Sequence, residues 1–94
     1  IDSINEIEIP RGFTPNNQEP NNTWRIRNIQ LYPDVEVRVY NARGGLVFSS
    51  VGYERAWDGT LNGQPLPVDT YYYTIDLRLQ FRKKSYKGSV TILR

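Results

Sequence analysis

The chain has 94 residues, twelve of them basic and ten acidic for a formal charge of +2, and it contains no histidine, cysteine or methionine. That length makes one small domain, residues 1–94 with 1–6 as a linker remnant, and no disulfide is available to brace it. Without an imidazole base or thiolate, the usual serine and cysteine nucleophiles and the common zinc sites are disfavoured, and an enzyme is not expected.

Strand patterns dominate the chain in order. Ile7 and Ile9 alternate with acids, and Trp24 and Ile26 alternate with arginines. Val35, Val37 and Val39 alternate with Glu36, Arg38 and Tyr40, which describes a strand with one buried and one wet face. Asn41-Ala-Arg-Gly-Gly45 follows as a short hairpin loop. Asp58-Gly59 is a turn signal, and Asn62-Gly63 is a two-residue hairpin signal because both central positions need positive φ. From Thr70 to Leu79, Tyr71, Tyr73, Ile75, Leu77 and Leu79 share one face, against Tyr72, Thr74, Asp76 and Arg78. Phe81 to Ser85 reads as a basic hairpin loop, after which Val90 and Ile92 alternate with Ser89, Thr91 and Leu93. No stretch has helical periodicity of useful length. The expected fold class is all-β, an immunoglobulin-like antiparallel β-sandwich of about seven short strands, with a barrel as the structural rival.

The carboxylates Asp34, Asp58, Asp69 and Asp76 are scattered and form no pair of the glycosidase kind. The lack of an initiator Met predicts a processed chain or a piece of a larger one, and no apolar run approaches the roughly 18 residues of a membrane span. Charge is unevenly placed. Residues 1–76 carry six basic and ten acidic side chains, whereas 77–94 carry Arg78, Arg82, Lys83, Lys84, Lys87 and Arg94 with no acid.

One ordered set of elements goes further. Gly52-Tyr53, Trp57-Asp58-Gly59-Thr60, Asn62-Gly63, Leu66-Pro67 and Thr70-Tyr71-Tyr72-Tyr73 precede Tyr86-Lys87-Gly88-Ser89-Val90-Thr91-Ile92-Leu93-Arg94. Together with Ile9-Pro10, Phe13-Thr14-Pro15-Asn16 and Val39-Tyr40-Asn41, this resembles the gliding-motility-associated C-terminal domain of Bacteroidota, the type B sorting domain of the type IX secretion system. The resemblance spans roughly residues 7–94. The signature residues are Phe13, Pro15, Asn16, Trp24, Asn41, Gly44, Trp57, Asp58, Gly59, Asn62, Gly63, Pro67, Tyr71, Tyr73 and Gly88, and most of them read as scaffold. Trp57 suits a core anchor, and Gly59 and Gly63 suit positive φ.

The resemblance implies a C-terminal sorting signal that the type IX machinery recognises to export a parent protein across the outer membrane. The implied partners are outer-membrane components of that machinery and the N-terminal cargo of the same chain. The implied location is the cell surface or the medium, reached through the periplasm. The candidate recognition surface is the basic C-terminal segment with Arg78, Arg82, Lys83, Lys84, Tyr86, Lys87 and Arg94. Neither nucleic-acid binding nor direct membrane insertion is expected, because the cations are not interleaved with a stacking platform and no spanning segment exists.

No cofactor or metal is expected. The segment TPNNQEPNNTW, residues 14–24, has the oxygen-rich look of a calcium loop, but Glu19 is its only carboxylate, and calcium affinity follows ligand charge. Asx-type bonding by Asn16, Asn17 and Asn22 can order such a turn without metal, holding Phe13 and Trp24 in the core. Two other functions compete with sorting. One is a carbohydrate-binding module using Tyr40 and Tyr72 as exposed aromatics. The other is a passive immunoglobulin-like spacer or adhesion module.

Overall fold

The alternating valines and tyrosines pair as their periodicity predicts. The computed structural model describes residues 7–15, 23–79 and 84–93. Its strands are β1 (Gly12–Phe13), β2 (Glu36–Tyr40), β3 (Leu46–Val51), β4 (Thr60–Leu61), β5 (Gln64–Pro65), β6 (Thr70–Asp76) and β7 (Ser85–Ile92). Five of them form one sheet in the order β1-β7-β6-β2-β3, and β4 pairs with β5 as a separate hairpin. The fold is an all-β, immunoglobulin-like sandwich. One pairing departs from the antiparallel expectation, since β1 runs parallel to β7, with Gly12 opposite Thr91 and Phe13 opposite Ile92. Gly12 permits this close approach, because a Cβ there would lie 2.8 Å from the Thr91 carbonyl oxygen.

The inner face of the sheet carries Val37 and Val39 from β2, Tyr71 and Ile75 from β6, Val90 and Ile92 from β7, and Phe13 from β1, all buried. Their common side follows from the register, in which Val37 faces Ile75 and Tyr71 faces Val90. Ile7, Trp24, Ile26, Ile29, Tyr53 and Trp57 close the core over that face. The sequence predicts strands near residues 7–9 and 24–27. The structure makes only isolated bridges there, Glu8 with Arg27 and Trp24 with Trp57. The chain then turns at Asn28, whose φ of 70° is left-handed, into a short 3-10 turn at Ile29–Leu31. A left-handed residue two positions after Ile26 stops any ladder from growing.

Turn chemistry behaves as the residues predict. Asn62 and Gly63 have φ of 55° and 82°, the pattern of a tight type I′ hairpin, and Leu61 pairs with Gln64 across it. Asn41 Oδ1 accepts the backbone N–H groups of Arg43 and Gly45 at 2.9 and 2.8 Å, and Gly44 has φ of 86°. One extra residue at Val47 makes a bulge where β2 meets β3 between Val39 and Tyr40. At the entry to β6, the Tyr71 hydroxyl donates to the Pro67 carbonyl at 2.9 Å, as in the tyrosine corner of immunoglobulin-like sandwiches. No helix among the described residues is long and apolar enough to cross a membrane.

Candidate recognition surface

Five of the signature residues, Phe13, Trp24, Trp57, Gly59 and Tyr71, are buried. Trp24 and Trp57 are fully buried, and their ring centroids lie 6.1 Å apart at nearly right angles. Trp57 also meets Phe13 at 5.4 Å and Tyr71 at 5.8 Å, in the edge-to-face geometry that aromatic pairs prefer. Tyr53 ties the two tryptophans together. Its hydroxyl donates to the Trp24 carbonyl and accepts the Trp57 backbone N–H. Trp24 Nε1 donates to the Pro10 carbonyl at 2.9 Å and Trp57 Nε1 to the Thr60 carbonyl at 3.3 Å, so each indole finds a polar partner. Burial pushes the Tyr53 phenol above its ordinary pKa.

The remaining signature positions fix turns and close approaches. Asp58 Oδ1 accepts both the Thr60 hydroxyl at 2.6 Å and its N–H at 3.2 Å. Gly59, at φ 79°, sits against Pro15 and Phe13, where a Cβ would come within 3.1 Å of Pro15 Cγ. Tyr73 lies on the inner face across from Gly88. Asn41, Leu66, Pro67 and Tyr71 border a cleft of about 260 Å³ at one end of the sandwich, where the β2–β3 loop meets the segment leading into β6. Asn16 lies outside the described residues.

The candidate recognition residues divide between two faces. Lys87 is exposed on the outer face opposite Thr74. Tyr86 points inward and packs half-buried against the core, and the Lys84 ammonium stands 5.6 Å from the centre of its ring. Arg78 has left-handed φ of 52° and turns back over the outer face, where its guanidinium bonds Glu36 at 3.0 Å. Glu36 also takes Arg38 at 2.6 Å, so this end of the outer face is a three-membered ion-pair group. The neighbouring Tyr40 first, and then Glu36, hold the Arg38 guanidinium above its ordinary pKa. Arg82, Lys83 and Arg94 lie outside the described residues.

The outer face has an organisation that alternation alone does not reveal. Tyr40 and Tyr72 are direct cross-strand partners, with Leu46 beyond Tyr40 and Ser89 beyond Tyr72. The next row reads Ser49, Arg38, Thr74, Lys87. A shallow groove runs along this side of β6 and β7, lined by Tyr72, Thr74, Lys87 and Ser89 over the backbone of Tyr73 and Gly88. Among the described residues, no group of three or more histidine, cysteine or carboxylate side chains could hold a metal ion.

Scaffold and surface together define an immunoglobulin-like β-sandwich module whose aromatic signature residues build the core and whose polar sheet face is open. The chain belongs to a family described as the CHU_C type IX secretion signal domain, whose model matches residues 7–92. It therefore serves as a sorting signal, recognised by the type IX secretion machinery, for export of the protein that carries it to the cell surface or beyond. No curated protein matches the chain. No solved structure matches it either.

Proposed function

We propose that this domain is the C-terminal sorting module of a larger exported protein, which an N-terminal signal first delivers to the periplasm. Outer-membrane components of the type IX machinery then dock on the basic segment that begins at Arg78 and carry the parent across the outer membrane. The family match over residues 7–92 supports the sorting role. The concentration of six cations and no acid in residues 77–94 supports the site. An acidic partner would be steered to such a segment over about a Debye length, ~8 Å in physiological salt.

The experiment is a fusion of residues 1–94 to a periplasm-targeted fluorescent protein in a type IX-competent host. The fusion is expected in the medium or on the cell surface, and retention in the periplasm would overturn the sorting role. A variant with Lys83→Glu, Lys84→Glu and Lys87→Glu is expected to stay inside. Export of that variant, folded, at the parent level would remove the basic segment from the account.

A further inference from the structure

The basic residues point to both sides of the sheet, so a docking partner must choose one. The geometry points to the outer face of β2, β6 and β7, centred on the Tyr40–Tyr72 pair with Lys87 at its rim, as the docking surface for a folded protein of the secretion machinery. That partner would present carboxylates around an apolar centre. The inference rests on the reading that the domain is docked by that machinery.

Three observations support it. First, the register sets Tyr40 directly opposite Tyr72, and Tyr72 keeps 48% of its surface exposed at the middle of the sheet. Cross-strand neighbours of this kind stand about 4.5–5.5 Å apart at Cβ, which sets two aromatic side chains next to one another on this face. Tyrosine and arginine dominate the energetic centres of protein interfaces, because each buries large area with few rotatable bonds and keeps a polar tip. Both residue types meet here, since Arg38 follows Tyr40 in the adjoining row.

Second, charge is sorted along the face. The carboxylates of Glu36 and Asp76 sit in one row at one end, where Glu36 holds Arg38 and Arg78, and Asp76 Oδ1 accepts the Arg78 N–H at 2.9 Å. The rows of Tyr40 and Arg38 contain Arg38 and Lys87 and no acid. Among the described residues Lys87 has no ion-pair partner. A partner carboxylate reaching Lys87 would complete a pair that the domain leaves open.

Third, the opposite side of the sheet is already used. Tyr86 packs against the core and Lys84 stacks over its ring, so contact there would have to displace existing interactions. On the outer face Tyr72 and Lys87 are exposed. Thr74 and Ser89 border the groove beside Tyr72 and add hydroxyls to its rim.

The test uses the reporter fusion with Tyr40→Ser and Tyr72→Ser combined, with Lys87→Glu alone as a second variant, and with Arg55→Glu, in the connection between β3 and β4, as an exposed control outside the strands of this face. The melting temperature of each purified domain establishes that it is folded. Loss of a central interface contact weakens binding by at least about tenfold. A comparable drop in exported reporter is expected for the tyrosine pair and for Lys87→Glu, with Arg55→Glu exported at the parent level. Full export of the folded tyrosine and lysine variants, with the wild-type fusion also exported, would overturn this docking face and leave the sorting role standing. A wild-type fusion that stays inside would overturn both. Binding of polygalacturonate by the isolated domain, lost in Tyr72→Ser while export is unchanged, would assign the face to an acidic glycan instead.

Discussion

The ring of Tyr73 occupies the space that a side chain at Gly88 would need. A Cβ on Gly88 would lie 2.5 Å from the Tyr73 hydroxyl oxygen and 2.8 Å from Cζ. The absent side chain lets a large aromatic cross the middle of the sheet to reach Trp24, whose ring centroid is 5.3 Å from its own. Gly88 of β7 is therefore a packing requirement of the neighbouring strand.

Gly88→Ala is expected to destabilise the domain by about 1–3 kcal/mol, the usual cost of overpacking a filled interior. Urea denaturation would measure it. Combining Gly88→Ala with Tyr73→Val removes the ring that causes the clash, so the two losses should not add. Additive losses would show that the contact is not the cause.

Tyr53→Phe removes the hydroxyl that joins Trp24 to Trp57 and leaves the buried Trp57 N–H without that acceptor. The expected loss is about 1–3 kcal/mol near neutral pH, read from thermal or chemical melts. The same residue predicts an alkaline limb. Burial raises the folded-state pKa of Tyr53 above its unfolded value of about 10. Its contribution is thus complete below about pH 10 and is lost as pH rises beyond that, because the unfolded chain ionises first. Stability against pH should fall less steeply above pH 10 in Tyr53→Phe than in the parent.

The two turn glycines should respond differently to alanine. Gly63 has φ of 82° with nothing within 4 Å of the added Cβ, so Gly63→Ala pays only the left-handed backbone cost of about 1–2 kcal/mol. Gly59 has φ of 79° and Pro15 Cγ at 3.1 Å, with Phe13 and Ile92 close behind. Gly59→Ala is expected to cost more than Gly63→Ala, and side-by-side melts would rank them. Equal losses would mean that the packing of β1 over Gly59 yields freely.

Calcium is expected to leave the domain unchanged. With Glu19 its only carboxylate, the asparagine-rich segment lacks the ligand charge that micromolar affinity requires. The melting temperature should be the same in micromolar calcium and in chelator. A calcium-dependent rise would restore the segment as a metal loop.

Much of this architecture could be read from residue order because it depends on local rules. The alternation of Val35 to Tyr40 assigned inner and outer faces correctly, that of Thr70 to Leu79 did so as a strand only as far as Asp76, where β6 ends ahead of the left-handed Arg78, and Asn62-Gly63 identified its hairpin. What was hidden depended on register and on distant partners. Alternation placed Tyr40 and Tyr72 on wet faces but could not show that they are directly opposite one another. Left-handed φ at Tyr53 and Arg78 has no sequence code, since neither residue type favours it, and both are held by partners far along the chain. The strand expected at 24–27 failed because Trp24 spends its backbone N–H on Trp57 and Asn28 then turns the chain. The division of the basic segment was legible in principle. Lys84 and Lys87 have opposite parity along one strand direction, and counting charge along the chain conceals that.

The parallel pairing of β1 with β7 has a mechanical consequence. Thr91 N–H bonds the Arg11 carbonyl at 2.8 Å, and Leu93 N–H bonds the Phe13 carbonyl at 2.9 Å. Because the two strands run the same way, tension drawn from the residues before Gly12 and after Ile92 slides them past one another. Both bonds then share the load and must fail together, whereas the β6–β7 hairpin pulled at its open end would unzip one bond at a time. A parent protein hauled by this domain would thus transmit force through the short β1–β7 clamp, with Phe13 anchored in the aromatic core behind it.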